Sequence, residues 1–119
     1  MRDLSRIEVL KRSRRLASAV YRLTGSFPRA EVYGLTSQMR RCAVSIAANI
    51  AEGFGRGGQG DLERFLRIAA GSAAELDVLI GVATDLGYVM PPVPELDETT
   101  VVRKMLHRLV DRVAKARSG

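Results

Sequence analysis

One stretch, LTSQMRRCAVSIAANIAEGFGR from Leu35 to Arg56, constrains the fold more than any other part of the chain. At 100° per residue it separates into two stripes on a single helix. Met39, Cys42, Ala43, Ile46, Ile50 and Phe54 recur at three- and four-residue steps and form a core face. On the opposite side Gln38, Arg41, Ser45, Asn49 and Glu52 share a narrow arc. Between them lie Val44, Ala47, Ala48 and Ala51, small enough for other helices to approach closely. A helix that is apolar or small nearly all round is usually buried, and its polar groups then need partners. The stretch therefore reads as a central helix carrying a hydrogen-bonded polar seam.

The remaining periodicity predicts an all-α fold: an antiparallel up-down-up-down four-helix bundle forming one domain over residues 1–119, with helices at about 3–23, 36–54, 61–86 and 97–116. Asp3 is the expected N-cap of the first helix, whose apolar positions are Ile7, Leu10, Leu16, Ala17, Val20 and Tyr21. A short turn is expected from Pro28. The second helix is expected to dissolve into a flexible glycine-rich connection from Gly53 to Gly60. Leu62, Phe65, Leu66, Ala69, Ala73, Leu76, Ile80 and Ala83 form the core line of the third helix, and Gly87 suits its C′ position. Three prolines in Met90 to Glu95 predict an extended linker before the fourth helix. That helix turns Val102, Met105, Leu106, Leu109, Val110 and Val113 inward.

The Leu35–Arg56 run resembles the signature of small bacterial four-helix bundles encoded in intervening sequences of 23S ribosomal RNA genes, and of their free-standing relatives. Phe27, Pro28, Glu31, Tyr33 and Gly34 are similar to the family's lead-in. Phe65, Leu66, Ile68, Ala69, Gly71, Ser72, Glu75 and Leu76 are similar to its third-helix motif, and Leu86, Gly87 and Tyr88 to the end of that helix. The resemblance covers roughly residues 27–88. Two departures are mild: Ala47 and Ala48 stand where a proline is frequent, and the first helix lacks an aromatic near position 9. The resemblance implies a homo-oligomer, a ring-like pentamer, without established enzymatic activity. A related bundle, the accessory factor of diversity-generating retroelements, implies nucleic-acid binding.

Charge is the second informative feature. The formal net charge is +6, and the whole of that excess falls within residues 1–29. Lys11, Arg12, Arg15 and Arg22 share one arc of the first helix, opposite its apolar face. The last helix adds Arg103, Lys104, Arg108, Arg112, Lys115 and Arg117. First and last helices are neighbours in an antiparallel ring of four, so the two stripes are expected to merge. A phosphate-backbone site follows, with Lys11, Arg12, Arg15, Arg22, Arg108 and Arg112 as its candidates for RNA or DNA. Three Tyr and three Phe leave little for base stacking. The alternative is a solvated bundle whose partner is another protein.

Chemistry finds little raw material. His107 is the lone histidine and Cys42 the lone cysteine, on different helices, so no catalytic residues, metal site or cofactor are expected. Cys42 is read as an inert core thiol. The Gly53–Gly60 segment follows a helix rather than a strand and lacks the P-loop lysine. MRDLSRIEVLKRSRR has neither a continuous apolar region nor a cleavage pattern. No apolar stretch approaches the ~20 residues of a membrane span, so a cytoplasmic protein without a membrane partner is expected. In the seam, Arg41 and Glu52 lie too far apart on one helix to pair, about 16 Å. Glu75 is the expected partner of Arg41, and Arg64 or Arg67 that of Glu52, unless the seam pairs across a subunit boundary or is half-exposed. A buried seam predicts that Arg41→Ala destabilises far more than Arg40→Ala.

Overall fold

The computed structural model describes residues 4–119. Among them are four α-helices, α1 (Leu4–Thr24), α2 (Leu35–Gly55), α3 (Gln59–Asp85) and α4 (Pro94–Ser118), and one 3₁₀ turn, Arg29–Glu31. Each helix packs on the next and α4 returns to α1, which closes an antiparallel bundle of 49 × 25 × 21 Å. Leu16, Met39, Ile46, Ile50, Leu66, Leu76, Ile80 and Leu106 are wholly buried along its axis. The all-α four-helix architecture expected from periodicity is the one observed.

Three details differ from the sequence reading. The core face of α1 is Val9, Ser13, Leu16, Val20 and Thr24, whereas Ile7 and Tyr21, read as core, are 41% and 48% exposed. Hydropathy misplaces the face because two of its members are hydroxyls that bond their own helix: Ser13 Oγ to the Val9 carbonyl at 2.7 Å, Thr24 Oγ1 to the Val20 carbonyl at 2.8 Å. The glycine-rich connection shrinks to Arg56–Gly58, since α2 runs through Gly53 to Gly55 and α3 opens at Gln59. Helix α4 begins at Pro94 instead of residue 97; a proline in the first turn loses no helical hydrogen bond. Asp3, the expected cap of α1, lies outside the described residues.

The lead-in and the end of α3 are tied together at one end of the bundle. Glu31 Oε1 accepts the Leu35 N–H at 3.1 Å, satisfying a free amide at the start of α2, while Glu31 Oε2 accepts the Tyr88 hydroxyl at 2.9 Å. That bond raises the Tyr88 hydroxyl above its ordinary pKa. Phe27 packs its ring 5.4 Å from that of Tyr88. Gly87 takes φ +78°, and the Tyr88 and Gly87 amides reach back to Ala83 and Thr84 at 2.9 and 3.0 Å, the Schellman closure of a helix. Four of the signature residues outside α2, Phe27, Glu31, Gly87 and Tyr88, thus hold the chain's turns in place.

Candidate functional site

The basic face of α1 does not survive intact. Arg12 is half-buried between α1 and α4, bonded to Glu8 at 3.1 Å and to both Glu98 oxygens at 2.9 and 3.2 Å. Those hydrogen bonds, Glu8 first, raise its pKa and neutralise its field locally. Arg112 is bonded to Ser5 Oγ at 2.7 Å, Arg103 to Asp77 at 3.3 Å and Arg117 to Glu63 at 2.8 Å. Arg117, then Arg67, hold the Glu63 carboxyl below the usual range. The α1 and α4 stripes are therefore interrupted by Glu8, Glu95 and Glu98, which line the groove between them with Arg12, Arg15 and Arg22, and the expected single positive surface is divided. What remains on α1 is an outward row, Lys11, Arg15 and Arg22, with Arg14 beside it. All four are exposed, and none forms an ion pair among the described residues. Arg108 is exposed on α4.

The polar seam lies between α2 and α3 and is only half sheltered. Ser45 and Asn49 are partly buried, whereas Gln38, Arg41, Glu52 and Glu75 are exposed. Ser45 and Ser72 hydroxyls meet at 3.0 Å, and Asn49 Nδ2 donates to the Ser45 carbonyl and hydroxyl at 2.8 and 3.0 Å. The expected ion pairs are not formed. Glu52 takes Arg56 one turn on at 2.9 Å, Arg64 takes Asp61, and Arg67 takes Glu63. Arg41 has no hydrogen bond or ion pair among the described residues. Charged groups near the bundle surface keep their water, so local pairs one turn apart win over longer reaches.

Cys42 is buried and donates its thiol to the Ser72 carbonyl at 3.0 Å. Burial, with Glu75 nearby, pushes that thiol up to about 12, so it stays protonated and unreactive at neutral pH. His107 is exposed on α4. No group of three His, Cys, Asp or Glu able to hold a metal occurs among the described residues. No helix there is long and apolar enough to cross a membrane.

The neighbouring arginine is the structural one. Arg40 Nε donates to Thr24 Oγ1 at 2.8 Å, its Nη2 donates to the Tyr21 carbonyl at 3.2 Å, and its guanidinium lies 4.6 Å over the Tyr21 ring. It thereby fastens α2 to the C-terminal end of α1, where a cation also opposes the helix dipole. The expectation from sequence is reversed: Arg40→Ala costs about 1–2 kcal/mol, whereas Arg41→Ala stays within about 0.5 kcal/mol. Urea unfolding of the two variants at one protein concentration checks this, and equal midpoints would refute it.

Sequence reasoning missed an open apolar groove of about 930 Å³ between α1 and α2. Ile7, Leu10, Ala17, Tyr21, Val44, Ala47, Ala48 and Ala51 line it, with Lys11, Arg14, Ser18 and Arg22 at its border. The available signal was an apolar arc on both helices wider than one core needs: Ile7, Tyr21 and Val44 have the right period and face the wrong way. Tyr33, from the lead-in, is 96% exposed, and no contact within the chain accounts for it.

Comparison with known proteins places this geometry. No curated protein matches the chain. A solved structure of a protein of unknown function from the S23 ribosomal protein family of Bacteroides thetaiotaomicron superposes with a TM-score of 0.83. The match covers 90% of this chain and 98% of that one at 19% sequence identity, a likeness of fold. The sequence model of the 23S rRNA-intervening sequence protein family matches residues 5–108. With the signature residues of α2 and α3 inside that match and the four-helix bundle around them, the chain belongs to the 23S rRNA-intervening sequence protein family.

Proposed function

We propose that this protein is a non-enzymatic bundle that self-assembles, as the pentamer its family resemblance implies, and binds RNA or DNA by the phosphate backbone. The observation that carries the binding reading is the exposed row Lys11, Arg15 and Arg22, free of carboxylate partners in a chain that ties up most of its other α1 and α4 arginines. Arg108 is a further free cation on α4, and Arg12 and Arg112 drop out because their donors are already engaged. Repetition around an oligomer multiplies a three-cation row into a many-phosphate surface, so assembly raises affinity without new contacts per copy.

The test is binding to labelled structured RNA and duplex DNA at low and physiological salt, against a Lys11, Arg15, Arg22→Gln variant of unchanged oligomeric state. Wild type is expected to bind with a steep salt dependence, and the variant to lose about one unit of salt slope per cation contact. Absence of binding at either salt from a folded oligomer overturns the reading and favours a protein partner.

A further inference from the structure

A second cleft, of about 530 Å³, opens between α2 and α3 and shares no residue with the α1/α2 groove. Gln38, Arg41 and Ser45 line it from α2, and Ser72, Glu75 and Leu79 from α3. The Ser45–Ser72 hydroxyl contact at 3.0 Å fixes the register of the two antiparallel helices. One turn from that contact, toward the start of α2 and the end of α3, Arg41 and Glu75 stand at the same level on opposite walls.

These two charges lack what other charges of the chain have. Glu8, Glu52, Asp61 and Glu63 are each held by an arginine three or four residues away. At those spacings Arg41 finds only Ser37, Gln38, Val44 and Ser45, and Glu75 only Gly71, Ser72, Val78 and Leu79. Nor do they form an ion pair with each other, although Glu75 lies close enough to the Cys42 thiol to raise its pKa. A guanidinium and a carboxylate thus share one cleft without pairing, beside two hydroxyls and an amide. That arrangement matches a ligand that carries both charges itself.

From this we infer that the α2/α3 cleft binds a free α-amino acid, its carboxylate on Arg41 and its ammonium on Glu75. The Ser45 and Ser72 hydroxyls and the Gln38 amide then serve a polar side chain. The volume lies within the ~300–1,000 Å³ of small-molecule sites. A lone anion meets Glu75 and a lone cation meets Arg41, so ligands of a single charge are penalised. The site is therefore different in kind from the α1 row, and Lys11, Arg15 and Arg22 take no part in it.

The experiment is calorimetric titration of the full chain with L-serine and L-glutamine, and with propionate and ethylammonium, which carry one of the two charges each. The wild type is expected to bind at least one of the amino acids with millimolar or tighter affinity. Propionate and ethylammonium are expected to bind more weakly by about tenfold or more, the worth of one hydrogen bond to a charged group. Arg41→Gln and Glu75→Gln, both at exposed positions, are expected to melt with the wild type yet each lose about tenfold in affinity. Glu52→Gln, an acid of α2 outside the cleft, is expected to bind as the wild type does. No binding of either amino acid would overturn the site. So would a single-charge ligand bound as tightly, or full affinity in either cleft variant.

Discussion

Ile46→Ala is expected to lower the free energy of unfolding by about 2–5 kcal/mol, out of a total on the order of 5–15 kcal/mol for a domain of this size. Ile46 is wholly buried on the core face of α2, within a cluster that includes Met39, Ile50, Leu66 and Leu76. Removing three carbons there forfeits their transfer from water and leaves a cavity that rigid neighbours fill only in part. Val44→Ala supplies the contrast. Two residues away on the same helix, Val44 is 44% exposed at the groove, so its truncation is expected to shift stability by less than about 0.5 kcal/mol. Urea unfolding of both variants at one protein concentration measures the difference, and similar losses would mean that the core face of α2 is misassigned.

The second large effect is at Gly53. A side chain built there would place its Cβ 3.0 Å from Phe65 Cβ and 3.4 Å from Leu62 Cδ1. Phe65 Cβ cannot swing away, because it is fixed to the backbone of α3. Gly53→Val therefore has to push α2 and α3 apart next to the short Arg56–Gly58 connection, at a cost of about 3 kcal/mol, the upper end of ordinary overpacking. Gly55→Ala is expected to do the reverse. No atom lies within 4 Å of its Cβ position and its φ is not positive, so alanine stabilises by up to about 1 kcal/mol through helix propensity and a less free unfolded chain. Melting curves that move in opposite directions confirm both; a neutral Gly53→Val would show that the helices tolerate separation there.

Those two glycines show where local reading ends. As sequence, Gly53 to Gly60 is a single glycine-rich segment and a plausible flexible loop. In the bundle Gly53 is a packing device, Gly55 closes a helix, and only Arg56–Gly58 is connection. Nothing within eight consecutive residues encodes that distinction, because the atoms that meet Gly53 belong to Leu62 and Phe65 on the next helix. Pro94 is a milder instance: a breaker inside a helix becomes an opener once the chain direction at Val93 is set.

The candidate site divides along the same line. Which residues are cationic, and that Lys11, Arg15 and Arg22 share an arc, follow from a period of 3.6 residues. Which cations are free does not. Arg12 belongs to the same arc, but Glu98, 86 residues away, is 2.9 Å from it and removes it from the row. The seam behaved alike: Arg41 and Glu75 were matched by charge, whereas the structure leaves both exposed and spends its hydrogen bonds on Ser45, Asn49 and Ser72.

The sequence by itself determined the number and type of the elements, the core faces of α2, α3 and α4, and the family, because helical periodicity and signature spacing are properties of neighbouring residues along one chain. Tertiary structure alone decided the rotation of α1, which buries Ser13 and Thr24 and leaves Ile7 and Tyr21 outside; the exchange of roles between Arg40 and Arg41; and the existence of the α1/α2 groove. Each of these depends on what a second helix brings to within a few ångströms, and hydrophobic attraction, which carries no direction, does not specify that partner from one helix alone.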